Sequence, residues 1–153
     1  MKGLTLGLAI AAAVILLVGG SLSIFFTIFW EKMDTSGARR IKEQFPTEQI
    51  LRSESTANFF GLTSRGRGQL RGNGVLALTP NELWFSRFVK REDISIPLQS
   101  ITSVKLVESH LGKRILGRAL LYVEFQQEGK QDAIAWAVTS PTDWKLAIEQ
   151  AAP

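Results

Sequence analysis

The residues best equipped for chemistry are concentrated in one stretch, Ser64-Arg65-Gly66-Arg67-Gly68-Gln69-Leu70-Arg71-Gly72-Asn73-Gly74. Planar guanidinium forks hold phosphate or carboxylate oxygens through paired hydrogen bonds. Glycines let backbone N–H groups approach an anion. Arg65, Arg67 and Arg71 are therefore candidate ligands for an anion, a lipid headgroup above all. The bland alternative is a solvated loop whose glycines make turns and whose arginines aid solubility. A second basic cluster, Arg87, Lys90 and Arg91, is partly cancelled by Glu92 and Asp93. A third runs from His110 to Arg118. There Leu111, Ile115 and Leu116 interleave with Lys113, Arg114 and Arg118, as an insertion wedge, a partner surface or ordinary β-edge positions.

Other chemistries find no residues. The absence of cysteine excludes disulfides, zinc-thiolate and iron–sulfur ligation, and thiol catalysis. A single histidine, His110, excludes a multi-histidine metal site, and it reads as a surface or edge residue. Gly66-x-Gly68 is followed by glycine at 72, one position late for a dinucleotide fingerprint. No G-x-S-x-G, Walker, H-E-x-x-H or calcium-loop pattern occurs. The net charge of +4 is too modest for a nucleic-acid face. No metal, no cofactor and no catalytic residue is expected, and the reading is a non-enzyme.

Localisation is set by residues 3–30, GLTLGLAIAAAVILLVGGSLSIFFTIFW, a run of 28 residues without a charge. About 20 helical residues cross a bilayer core, so this run is long enough for a transmembrane helix with Trp30 at one interface. The competing reading is a cleaved secretory signal with Leu4–Val18 as its apolar core. The run outlasts such a core by several large apolar residues, which favours a retained anchor. Lys32, Arg39, Arg40 and Lys42 outweigh Lys2, which puts the C-terminal part in the cytoplasm of a single-pass protein of the cell membrane. Gly3, Gly7 and Ala11 share one helix face that could pack two anchors together.

Residues 31–45 read as a mixed-charge juxtamembrane linker, able to continue the helix for a few turns and stopped by Pro46. Residues 46–153 read as one β-rich domain. Val75–Leu78, Leu83–Phe85, Ile94–Leu98, Ile101–Leu106, Leu120–Phe125 and Ile134–Val138 are short apolar or alternating runs separated by turn signals such as Thr79-Pro80-Asn81. They predict an antiparallel barrel or sandwich of about seven strands. Ser140-Pro141-Thr142-Asp143 starts a helix, with Ser140 as cap, and Trp144, Ile148 and Ala151 form its apolar stripe. Charge is polarised along the chain. Residues 64–118 hold ten Lys+Arg against four Asp+Glu, and residues 119–153 hold two against five.

Two phrases carry a resemblance. Gly74-Val75-Leu76-Ala77-Leu78-Thr79-Pro80-Asn81-Glu82-Leu83-Trp84-Phe85 and Ile94-Ser95-Ile96-Pro97-Leu98-Gln99-Ser100-Ile101-Thr102-Ser103-Val104 resemble, in order and spacing, the core hairpins of bacterial pleckstrin-homology-like and GRAM-like domains. The resemblance covers about residues 47–152. It implies a mostly β domain capped by one C-terminal helix, and a binding module for lipid headgroups, peptides or sister domains. It places Arg65-x-Arg67 in the loop between the first two strands, where lipid-binding members carry basic residues. The upstream basic position falls on Arg52, where the family has Lys. The expected function is a membrane-anchored module touching anionic lipids of the inner leaflet through Arg65, Arg67, Arg71, Arg87, Lys90 and Arg91. The alternative is a scaffold or accessory subunit that binds a membrane protein partner or itself.

Overall fold

The computed structural model describes residues 35–153 apart from Lys90, together with Val18, Gly20, Ser21 and Ile28. The chain divides into two units, Met1–Thr35 and Ser36–Pro153. In the first, the five described residues, Val18, Gly20, Ser21, Ile28 and Thr35, have helical backbone. No helix among the described residues is long and apolar enough to cross a membrane. The rest of the expected anchor, with Gly3, Gly7 and Ala11, lies outside the described residues.

The second unit begins within helix α1 (35–44), followed by nine strands among the described residues and a closing helix. The strands are β1 (Arg52–Leu62), β2 (Gly72–Leu78), β3 (Glu82–Arg87), β4 (Asp93–Pro97), β5 (Ile101–Val107), β6 (Ser109–His110), β7 (Lys113–Arg114), β8 (Leu120–Gln127) and β9 (Lys130–Ala137). Helix α2 is Pro141–Ala151. Seven strands form one antiparallel sheet in the order β4-β3-β2-β1-β9-β8-β5, and β6 and β7 form a separate ribbon. The expected mostly β fold with a C-terminal helix is what the chain adopts. The sheet is not closed into a barrel, because β4 and β5 remain its two edges. A 3-10 turn at Leu98–Ser100 joins them, and its first N–H is spent on Asn81 O at 2.9 Å.

Strand β1 links the two halves of the sheet. It pairs with β2 from Arg52 to Phe59 and with β9 from Asn58 to Leu62. Two irregularities, between Glu54 and Ala57 and between Phe59 and Gly61, bend it between those partners. Gly61 sits at φ +120°, a conformation that side chains rarely adopt, with Leu111 pressed against the place a Cβ would occupy. These bulges break the two-residue period, so β1 shows no alternating pattern in the sequence.

The inner face of the bent sheet holds the main core, including Phe59, Leu76, Leu78, Phe85, Val123, Ile134 and Trp136. Helix α2 lies along β5 and β8 and adds Trp144 and Ile148. The outer face is covered twice. Ile41 of α1 and Phe45 just after it pack on Val75, Ala77 and Trp84, and the Phe45 and Trp84 rings meet edge to face at 5.5 Å. Phe60, Leu120, Ala135 and Ala137 form a third cluster, flanked by Ile115 and Tyr122. This two-sided burial explains why β2 reads as an unbroken apolar run rather than an alternation. Residues 36–45, expected as linker, are thus part of the compact unit, because their apolar stripe seals β2 and β3.

Helix α2 begins as expected at Ser140 with Pro141 in its first turn, but the Ser140 side chain makes no capping bond. Glu54 of β1 does the holding. Its carboxylate accepts from Thr139 N at 3.0 Å, from Thr139 Oγ1 at 2.5 Å and from Trp144 Nε1 at 3.2 Å. Truncating Phe45 to alanine should cost about 3 kcal/mol through the cavity left under α1. Urea unfolding of residues 36–153, followed by tryptophan fluorescence, measures this. A loss below about 1 kcal/mol, the scale of a surface substitution, would mean that α1 does not seal the outer face.

Candidate functional site

The residues between β1 and β2 form the arginine-rich loop. A 3-10 turn at Thr63–Arg65 starts it, held by the buried Asp132 of β9. Asp132 accepts from Ser64 N at 2.9 Å and from Ser64 Oγ at 2.5 Å. Gln69 fixes the middle of the loop. Its Oε1 accepts from Leu62 N at 3.0 Å, and its Nε2 donates to Leu62 O and Gly66 O, both at 2.7 Å. Lys113 of β7 donates to Gln69 O at 2.5 Å. The loop is therefore anchored from β9, from β7 and from within, while its arginines remain at the surface.

A cleft of about 580 Å³ opens between this loop and the segment after β3, lined by Arg65, Arg71, Arg87 and Glu92 among others. Arg87 is its most enclosed cation, with a side chain 15% exposed. Its guanidinium lies 5.1 Å from the centre of the Phe59 ring and donates to Leu70 O at 3.2 Å. Its Nε is buried without an acceptor beside Gly72, where a Cβ would come within 2.8 Å of the guanidinium. Arg71 lies 4.2 Å from the centre of the Phe60 ring and donates from Nε and Nη2 to Asn58 Oδ1, both at 3.1 Å. Stacking on aromatic faces orients both guanidiniums at modest entropic cost. Arg65 pairs with Glu92, whose other oxygen stands 3.9 Å from Arg87. One carboxylate thus sits between two guanidiniums, and Arg71 lines the same cleft with its own guanidinium on the Phe60 side.

Of the six basic residues expected to act together, the fold brings Arg65, Arg71 and Arg87 to this cleft. Arg67 is exposed on the same loop. Arg91, at φ +27°, lines a different cleft with Arg40, Glu43, Trp84 and Asp93. Lys90 lies outside the described residues. Arg52, the upstream basic position, points elsewhere, 5.2 Å from the centre of the Trp144 ring and 3.7 Å from Asp143. Sequence reasoning missed Asn58 and the role of Glu92. The Glu92 side chain counted only as local charge cancellation, and its ion pair with Arg65 spans 27 positions.

His110 departs from its expected surface place. It is buried, with Nε2 3.0 Å from Gly61 O and its ring edge on Tyr122 at 5.4 Å. A carbonyl only accepts, so Nε2 carries the proton. The reason is the β6–β7 ribbon, which folds back over β1 and takes the imidazole inward. Burial lowers the His110 pKa below 6.5, and Lys113 adds to this; the bond to Gly61 and the charge of Asp132 act against it. The third basic cluster overlaps the pair β6–β7, Ser109–His110 with Lys113–Arg114, and Leu116 beyond it is left 88% exposed.

No family model matches the chain, and no curated protein matches it. Solved structures do. One is the crystal structure of the C-terminal domain of an unknown protein from Leishmania infantum, with TM-score 0.52 and 15% identity, covering 74% of this chain and 95% of that one. Another belongs to the 8S snRNP assembly intermediate, with TM-score 0.54 and 14% identity, covering 69% of this chain and 84% of that one. At these identities the likeness is one of fold.

The His110 shift has a direct consequence for stability. The unfolded chain holds this proton more tightly than the folded one, so protonation favours unfolding. Stability contributed here is complete above the ordinary pKa of 6.5 and falls as pH drops below it, levelling off beneath the folded value. Urea midpoints at pH 7.5 and 5.5 should differ more in the wild type than in a His110→Gln variant. Equal differences would remove His110 as the source.

Proposed function

We propose that this chain is a membrane-anchored binding module whose pleckstrin-homology-like domain holds phosphate-bearing headgroups of anionic lipids at the inner leaflet. The observation that carries this reading is the convergence of Arg65, Arg71 and Arg87, from a loop and a strand distant in sequence, on one cleft. Support for the domain class comes from the two hairpin phrases together with an open seven-stranded antiparallel sheet covered by a C-terminal helix. Residues 3–30 supply the anchor, and the positive flank at Lys32, Arg39, Arg40 and Lys42 sets its orientation. Tethering lets a weak contact act, because the headgroups are held at high local concentration. The chemistry is binding without turnover. Glu92 acts as an internal anion that keeps Arg65 and Arg87 in place until a phosphate replaces it.

A second reading, a protein-binding scaffold, draws on the edge strands. Among the described residues β4 pairs only with β3 and β5 only with β8, so either edge offers backbone groups to an added strand.

The test uses the full-length protein in phosphatidylcholine nanodiscs, titrated with inositol hexakisphosphate by calorimetry at low salt. The double variant Arg65→Gln/Arg71→Gln should bind roughly tenfold or more weakly, the loss expected for two charge-assisted contacts. Glu92→Gln should bind more tightly, because the competing carboxylate is gone. Absence of binding by the wild type, or equal affinity in all three proteins, would sink the anion cleft and favour the scaffold.

A further inference from the structure

Two aliphatic side chains stand out at the mouth of the arginine cleft. Leu70, just before β2, and Val89, just after β3, are each 77% exposed, and both line the cleft with Arg65, Arg71 and Arg87. They come from separate loops and share a rim with cations. A bilayer interface has matching layers: phosphates at the level of guanidiniums, and acyl chains a few ångströms deeper.

The course of α1 points the same way. Along α1, Gly37 lies against Ser55 and Val75, and Arg40 donates to Ser86 Oγ at 3.1 Å and Arg87 O at 2.7 Å; just past its end Phe45 rests on Trp84. Strand β3 runs from Glu82 to Arg87, so the N-terminal end of α1 lies at the Arg87 end of β3, where the cleft is. The described chain therefore enters the second unit at its cleft end. Leu51, another exposed aliphatic, is bonded to Leu78 O at the opposite end of β2.

We propose that Leu70 and Val89 are a pair of aliphatic prongs that enter the acyl-chain boundary of a lipid bilayer while the cleft arginines hold its phosphates. This rests on the anion-binding reading above and deepens it: the source of the phosphate is a lipid surface rather than a soluble phosphate ester. The prongs set the depth of the domain, and the arginines set its preference for anionic lipid.

The chain has no native cysteine, so single replacements can be labelled without background. Leu70→Cys, Val89→Cys and Leu51→Cys variants of the full-length protein would carry an environment-sensitive fluorophore in vesicles of phosphatidylcholine with phosphatidylserine. Doxyl-labelled lipid should quench positions 70 and 89 by roughly half or more, as expected for side chains at the acyl boundary, and leave position 51 bright. No quenching at 70 and 89 overturns the prongs even if inositol hexakisphosphate still binds, which keeps the two readings separable. Equal quenching at 51 overturns them as well, because the domain would then lie on the lipid without a preferred end. Shielding at 70 and 89 that grows with protein concentration but not with doxyl lipid would assign the surface to a second copy and overturn the proposal. In pure phosphatidylcholine the quenching should weaken. Quenching undiminished there would overturn the arginines' part in the proposal.

Discussion

Phe59 is the point through which the two halves of the domain communicate. It pairs with Gly72 of β2 on one side and Trp136 of β9 on the other. Its ring stacks on Phe85 at 5.5 Å, and Phe85 in turn lies 5.7 Å from Trp136. A strand that serves two partners in different directions must bend, and the bend falls directly after Phe59, beside Gly61. The floor of the cleft depends on the same ring, since Arg87 rests on it. Core and candidate site thus share one residue.

A sheet of this size cannot hide its apolar surface on one side alone. The inner face is completed by Trp144 and Ile148 of α2, which lies along β5 and β8. The outer face is sealed by α1 over β2–β3, and a separate apolar cluster buries the outer sides of β8 and β9. Each cover is locked by polar contacts spanning long stretches of chain: Glu54 to Thr139 and Trp144, Arg40 to Ser86 and Arg87, Lys113 to Gln69. Buried or half-buried bonds of this kind contribute only modestly each, but they exclude other placements of the covering elements.

The cleft is an electrostatic compromise. Arg65 and Arg87 both reach Glu92, and the carboxylate between them offsets their mutual repulsion. Aromatic faces beneath Arg71 and Arg87 do the orienting, so the donors are arranged before a ligand arrives. Tightly packed glycine at Gly72 leaves the room that Arg87 needs.

Local chemistry in the sequence determined much of this. Alternation and turn residues marked β3, β4 and β8, Thr79 makes the expected turn by accepting from Glu82 N at 3.1 Å, and Pro141 opens α2. The arginine and glycine content of the β1–β2 loop was visible because composition needs no fold to be read. Strand β1 was hidden because its bulges destroy the period that identifies a strand. The burial of His110, the docking of Ile41 and Phe45, and the pairing of Arg65 with Glu92 were hidden for another reason. Each depends on a contact between segments far apart in the chain, and no local pattern encodes which distant segment will arrive. Only the bent sheet, by bringing β3 and the loop after β1 to one end, decided which arginines would share a cleft and which would not.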